Sequence, residues 1–538
     1  MDSNTARLLL QSLLERFNKS NAEVFLTSIE AEALRTILGD GKENSESIVS
    51  ATEATPDTSI KISYTVAYPD PSLIDDGHIM CLDFGTSFSK AFACTDDDPE
   101  DVPELFPLIL GTNESDEPQL LLPSELFIDD GVMYLGRAAR AQFDSVEAPQ
   151  DRLIDSPKQF ITLTQDVGAL HGRKLDAAQD PTSTFSQRDA LVIYLAHLNL
   201  LAEKSLQDQG ISVDLKRRYA HPAWKADHFQ KNSREMRRII AESIALSRCC
   251  DDALKKSLAV DIAKDLVNQA RQLSDDDLPF SLIGDPVLEA TAAGAGALIG
   301  TPKGNRIPYV ILDIGAGTTD VAGCICVNNP AKSRVTVAEV SPAANAINQA
   351  GNIIDNLLLK LILNKSHLAD GTQEYRRVQS ALKRTIRSNK ELLFTQGSVT
   401  VSTVTGDVVD VELEEFLEEK SVKLLFKKIT DLVETAAFYV AGDAKEVRVA
   451  PTGGGANLPL VRKLDGSQIE KEGKRLKLTL VGSMPTTLQE VYPQLSDPYP
   501  QIAVAVGGAL PSLPVQVKSI AEGISDPGKR YIAPMYKS

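Results

Sequence analysis

CLDFGTSFSK at 81–90, VILDIGAGTTD at 310–320 and PTGGGANLPL at 451–460 decide the fold of this chain. The first two are an apolar run, then an Asp, then Gly with Ser or Thr. Each reads as a strand that ends in a tight turn, with hydroxyls and backbone N–H groups exposed. Glycine lets the main chain come close to an anion, and successive N–H groups form a nest for phosphate. An Asp at the strand end suits Mg²⁺, which takes oxygen ligands and is often held through its waters beside phosphates. Two such turns facing each other would hold a pair of phosphates from both sides. Gly453, Gly454 and Gly455 make the third segment a bare-backbone turn as well.

In this order the three segments resemble the phosphate-1, phosphate-2 and adenosine motifs of the actin-like ATPase superfamily, which includes actin, sugar kinases and the seventy-kilodalton heat-shock chaperones. DIGAGTTD and TGGGANLP look nearest the heat-shock branch. DSPKQFIT at 155–162 resembles the segment that carries that branch's catalytic lysine, here Lys158. YAHPAW at 219–224 resembles its proline switch, with Pro222 matched. EATAAGAGA at 289–297 and AVAVGGAL at 503–510 resemble its two inter-lobe helices, with Glu289 matched. The resemblance spans about residues 77–515. It implies an α/β fold of two mixed-sheet lobes with a nucleotide cleft between them, ATP or ADP with Mg²⁺ as ligands, and slow ATP hydrolysis.

Roles follow residue by residue. Asp83 and Asp313 would position Mg²⁺, and Asp313 could also orient the attacking water. Gly85, Thr86, Ser87 and Phe88 would hold one phosphate. Gly315, Ala316, Gly317, Thr318 and Thr319 would hold another, with Thr318 adding a catalytic hydroxyl. Ala316 stands where the heat-shock branch has glycine, which requires a negative φ. Asp320 is either a second carboxylate near the water or an Asp that caps a turn. Lys158 would neutralise charge developing on the terminal phosphate, and Glu289 would link the water network to the lobe interface. Gly351, Lys390 and Asn457 complete the nucleotide set. Lys390 matches a ribose-contacting lysine whose acidic companion is replaced by Arg387. Asn457 stands in place of an arginine that stacks on adenine. Lys90, seven residues after Asp83, sits where actin and some plasmid filament proteins place a phosphate-contacting lysine. Strand alternation could equally turn it to solvent.

A chain of 538 residues with 43% hydrophobic and 24% charged residues has the composition of an ordinary soluble protein of more than one domain. The net charge of −18 argues against a nucleic-acid or anionic-membrane partner. No apolar run reaches spanning length, and MDSNTARLLLQSLLERF lacks the pattern of a secretion signal. The 6 Cys have no zinc spacing, and Cys324 and Cys326 fall on one face of a predicted buried strand. Reduced thiols and no signal point to the cytoplasm.

The domains expected are an N-terminal helical region at 1–40, a polar linker at 41–76, the first lobe at 77–308 and the second at 309–497. A return helix follows at 498–515, then a tail at 516–538. Apolar spacing in DDALKKSLAVDIAKDLVNQARQL predicts an inserted helical hairpin within about 240–280. The heat-shock branch continues into a β-sandwich that holds peptides, and too little chain follows residue 515 to build one. The main expectation is therefore a heat-shock-like ATPase that acts as a nucleotide-dependent switch on a protein partner. The N-terminal helices or the insertion would carry that contact. The alternatives are an actin-like filament-forming ATPase, which Lys90 favours, and a small-molecule kinase, for which no carboxylate base beside a sugar pocket stands out.

Overall fold

The chain divides into two compact units, Met1–Thr58 and Ser59–Ser538. The computed structural model describes residues 71–517, apart from 97–102, 114, 165, 222–225, 251–253, 298–305, 329–334, 512 and 514. The expected N-terminal helices, most of the linker, Pro222 and the tail from 518 lie outside the described residues.

Among the described residues the second unit is an α/β structure built on two large sheets, with a three-stranded sheet (Leu126–Asp129, Val132–Leu135, Ser257–Ala259) and a two-stranded one (Ser398–Ser402, Val408–Glu412) beside them. In the first, strand order is Leu105–Pro107, Phe88–Thr95, Asp75–Asp83, Leu215–His221, Val287–Leu288, with Leu122–Pro123 also on Phe88–Thr95. Asp75–Asp83 pairs antiparallel to Phe88–Thr95 and parallel to Leu215–His221. Its last five residues, Ile79 to Asp83, are buried. A central strand covered on both faces carries an unbroken apolar run, which is how Ile79–Leu82 reads. The second sheet runs Gln468–Lys471, Lys474–Leu480, Glu446–Thr452, Arg306–Ile314, Thr319–Asn328, Val335–Val340, Val515–Val517. The tail expected from 516 thus opens with a strand on the edge of this sheet, parallel to Val335–Val340.

Each sheet packs helices over its outer face. Gln187–Asp208 and Ala226–Cys249 cover the first. Gly351–Lys365, Gln373–Gln396 and Lys420–Ala441 build the core of the second. A third apolar cluster lies between the sheets and joins Cys81 and Phe92 of one to Ile311, Cys324 and Cys326 of the other. Burial makes Cys324 and Cys326 small core hydrophobes.

Two helices rich in small residues, Glu289–Ala297 and Tyr499–Ala509, form the middle of that cluster. A Cβ on Gly507 would lie 1.8 Å from the Ala292 carbonyl oxygen, and one on Gly508 would lie 2.4 Å from Cys81 Sγ. Only bare backbone permits this crossing. Arg218 closes the end of the second helix by donating to the carbonyls of Gly508 at 3.1 Å and Leu510 at 2.6 Å.

The segment expected as a helical hairpin folds differently. Ser257–Ala259 is a strand paired with Val132–Leu135, and a single helix, Val260–Gln272, follows it. Leu254 is helical and Leu258 lies in the strand, and the helix Val260–Gln272 packs against Ala226–Cys249.

Gly507→Ala should cost about 1–3 kcal/mol, the usual penalty of overpacking, because the helices must move apart. Gly482, whose nearest neighbour to an added Cβ is 3.7 Å away, serves as the control. Thermal unfolding should show a clear loss of Tm for Gly507→Ala and little change for Gly482→Ala.

Candidate functional site

Both phosphate-type turns are β-hairpins whose flanking residues face each other across the strands. In the first sheet Asp83 pairs with Lys90, and in the second Asp313 pairs with Asp320. Directly opposed residues project from the same face. Lys90 therefore stands beside Asp83 rather than in solvent, with Nζ 3.1 Å from Asp83 Oδ2. The alternation that left Lys90 open is resolved by the register of the hairpin.

The turns are shaped from behind. A Cβ on Gly85 would lie 2.0 Å from the Phe88 carbonyl oxygen, so the turn closes only with glycine. Ser124 donates to the Gly85 carbonyl at 2.8 Å and shares a hydrogen bond of 3.0 Å with Ser89. Tyr194 donates to Ser89 at 3.0 Å and to the Pro123 carbonyl at 3.1 Å. None of these supporting residues carries a motif signature, and sequence reasoning missed them. Thr86 is buried, Ser87 half-buried, and Phe88 exposed. In the second turn the Gly315 N–H donates to the Thr318 carbonyl, and Ala316 takes a negative φ. The Gly351 and Asn352 N–H groups donate to the carbonyls of Gly315 and Ala316. The Gly351–Lys365 helix thus starts directly on the turn. Thr319 donates to the Gln349 carbonyl at 2.8 Å, which turns it away from any ligand role.

The two turns face each other: a Cβ on Gly317 would lie 3.0 Å from Thr86 Oγ1. The third segment joins the second turn. Gly453, at φ +77°, packs so closely that a Cβ would lie 2.4 Å from Asp313 Oδ1, and a Cβ on Gly455 would meet Ile314. Gly454 faces open space and Asn457 is exposed.

Lys158 and Glu289 come together beneath the turns, with Nζ and Oε1 2.5 Å apart and both side chains buried. Burial works against the Lys158 ammonium, but Glu289, Asp83 and Asp320 outweigh it and raise its pKa. Asp313 is pushed up to about 6, by burial first and then by Glu289 and Asp83. Asp320 is raised further by burial, Glu289 and Asp313, against a hydrogen bond from Thr318. These groups form one electrostatic cluster: four carboxylates (Asp83, Glu289, Asp313, Asp320) and two ammoniums (Lys90, Lys158). Fully ionised, it carries two uncompensated negative charges, which a divalent cation would balance. Among the described residues no three His, Cys, Asp or Glu side chains are arranged to hold a metal by themselves. The donor set would suit Mg²⁺ carried on phosphates through water, which Asp83 and Asp313 would hold in position.

On the outer side of the cleft, Lys390 Nζ lies 2.7 Å from Asp355 Oδ1. Arg387 spans from Asp355, at 4.0 Å, to Asp155 of the first lobe, at 3.5 Å. Arg384 stacks over the Phe143 ring, 5.1 Å from its centre, and meets Asp144 at 3.5 Å. Asp355, Asp155 and Arg384 carry no motif of their own. Asp355 lies one helical turn after Gly351, and that spacing was the available signal.

Residues 280–474 match the MreB/Mbl protein family. The match runs from Val287–Leu288 of the first sheet and the helix Glu289–Ala297 through most of the second sheet and its helices, and it supports the actin-like superfamily. It does not support a heat-shock chaperone as the nearest relative, which the motif wording suggests. No curated protein matches the chain. Among the described residues no helix is long and apolar enough to cross a membrane.

A carboxyl whose pKa is raised in the folded protein binds its proton more tightly there than in the unfolded chain. Its contribution to stability is therefore lost as pH rises, for Asp313 between the ordinary 3.8 and about 6. Asp320, raised further, extends the loss to higher pH. Asp320→Asn should leave metal-free stability near wild type at pH 4 and exceed it by about 1 kcal/mol or more at pH 8, where each pKa unit is worth about 1.4 kcal/mol. Denaturant unfolding of both proteins across that range checks the sign; a variant that is equal or weaker at pH 8 contradicts it.

Proposed function

We propose that this protein is an actin-like ATPase that binds ATP with Mg²⁺ in the cleft and assembles with copies of itself into filaments. The observation that carries the reading is Lys90 paired with Asp83 on the inner face of the first hairpin. A lysine there brings a positive charge to the phosphates from the first lobe, as the resemblance to actin and plasmid filament proteins implies. The similarity of residues 280–474 to the MreB/Mbl family favours the same branch over a chaperone-like switch.

In this reading Gly85, Thr86 and Ser87 hold one phosphate through N–H and hydroxyl donors. Gly315, Ala316, Gly317 and Thr318 hold the next. Mg²⁺ supplies charge neutralisation at the phosphates. Lys158, fixed by Glu289, supplies a second positive charge at the transferring group, where stabilisation of developing charge dominates the barrier. Asp313, with a pKa near 6, is placed to orient and take a proton from the attacking water. Gly453 and Gly455 shape the purine seat, with Asn457 at its exposed rim.

ATP contacts both hairpins, so it favours the arrangement in which they face each other. Closure then fixes the relation of the two lobes and pre-shapes the surface that a second copy recognises.

Light scattering and sedimentation with MgATP, with MgADP and without nucleotide test assembly; growth of scattering only with MgATP supports it. A protein that turns over ATP but stays monomeric at every concentration removes the filament reading and returns the partner-switch reading.

Asp313→Asn should lower ATP turnover by about a hundredfold or more, the scale of losing a positioned catalytic group, while ATP still binds. Lys90→Ala should chiefly weaken ATP binding. Single-turnover hydrolysis and equilibrium binding separate the two effects.

A further inference from the structure

Three buried hydroxyls stand behind the first phosphate turn, and their hydrogen bonds run in one direction. Ser124 Oγ donates to the Gly85 carbonyl at 2.8 Å. Its proton is thereby spent, so Ser89 is the donor in the 3.0 Å bond between the two serines. Tyr194 in turn donates to Ser89 at 3.0 Å and shares its proton with the Pro123 carbonyl at 3.1 Å. All three side chains are fully buried. Burial raises the Tyr194 phenol well above its ordinary pKa, so it stays a neutral donor. Its ring packs on Phe84, the residue before Gly85, with 5.5 Å between ring centres. The relay therefore passes from Tyr194 through Ser89 and Ser124 to Gly85, and each hydroxyl that accepts a bond becomes a stronger donor in the next.

The relay ends on a single peptide, Gly85–Thr86. A peptide is planar and trans, so its carbonyl and its N–H point in opposite directions. With the Gly85 carbonyl drawn back onto Ser124, the Thr86 N–H is aimed away from Ser124 and out of the turn. Thr86 is also the residue that a Cβ on Gly317 of the second turn would meet, at 3.0 Å. Among the described residues the N–H groups of Gly85, Thr86 and Ser87 have no hydrogen-bond partner. Gly85 has no Cβ to restrict its backbone, so the bond from Ser124 holds the direction of this peptide where side-chain bulk does not. Ser124 grips the turn at its other end as well, its N–H donating to the Ser87 carbonyl at 2.9 Å.

We infer that Ser124 is a positioning residue for the phosphates of a nucleotide: supported by Tyr194 through Ser89, it fixes the Gly85–Thr86 peptide with its N–H toward the anion. The inference rests on the nucleotide reading of the cleft and adds the residues that keep the first turn ready for phosphate. With this peptide reversed, the Gly85 carbonyl oxygen would face the phosphate, and attraction would become repulsion. Donors held in place beforehand need no rearrangement when the charge arrives, and a donor on the carbonyl polarises the peptide and strengthens its N–H.

The test compares the affinities of the full-length protein for ADP with Mg²⁺ and for adenosine, which has no phosphate. Wild type should favour ADP. Ser124→Ala should cut the ratio of the two affinities about tenfold, the scale of losing a hydrogen bond that serves a charged group, with adenosine binding unchanged. Tyr194→Phe keeps the ring against Phe84 and removes the first donor of the relay; its ratio should fall less, by about threefold, as the bonds downstream weaken without being lost. The ratio separates positioning from a general loosening of the fold, which lowers both affinities together. An unchanged ratio in Ser124→Ala, or an equal loss for ADP and adenosine, overturns the inference and leaves the nucleotide reading standing. An unchanged ratio in Tyr194→Phe removes Tyr194 and the relay from it. Wild type that binds ADP no better than adenosine, or binds neither, overturns the nucleotide reading and the inference together.

Discussion

The architecture turns on burying four carboxylates with only two ammonium groups to answer them. Asp83, Glu289, Asp313 and Asp320 are all nearly inaccessible, as is Lys158. Such a cluster is costly, because each charge loses hydration and like charges are forced together. The molecule tolerates it in two ways. Lys158 and Glu289 form a close buried pair. Asp313 and Asp320 hold their protons to higher pH than free carboxylates do. A site organised for folding alone would not contain this excess, whereas stability given up at a functional centre is a familiar trade.

The cluster exists because two hairpins are set tip to tip. Each hairpin fixes its own pair through strand register, and the helices Glu289–Ala297 and Tyr499–Ala509 fix the distance between the sheets. Glu289 opens the first of those helices and also holds Lys158. The interface of the lobes and the charged centre are therefore mechanically joined. A change in the number of charges at the centre has a direct path to the packing of Ala292 against Gly507. At the far side of the cleft, Arg384 and Arg387 hold the first lobe by ion pairs more exposed than those of the centre.

Much of this was legible in the sequence, for physical reasons. An apolar run, an Asp and a glycine turn have few structural solutions, so both hairpins, the third glycine loop and the pairing of their residues into one site could be read directly. Small-residue helices likewise announce close crossing. What escaped was set by register and by long-range packing. Lys90 points inward because it opposes Asp83 across the hairpin whose loop is residues 84–87, a fact of pairing and not of periodicity. Ser124 and Tyr194 buttress the first turn from distant segments. Asp355 becomes significant only when Arg387 and Lys390 are brought against it from another helix. The strand Ser257–Ala259 escapes a helical reading because apolar spacing there is too short to separate strand from helix. The nearest branch of the superfamily is poorly resolved by short glycine motifs, which are common to several branches, and the longer match over residues 280–474 discriminates better.

The most direct measurement is a calorimetric titration of ATP into the protein, once with Mg²⁺ and once with EDTA. Four buried carboxylates should repel a bare triphosphate, so the account predicts tight binding with Mg²⁺ and a loss of about a hundredfold or more without it, given the strength of uncompensated charge in a site shielded from water. Equal affinity in EDTA would mean that the carboxylate cluster does not face the phosphates, and the account would be wrong at its centre.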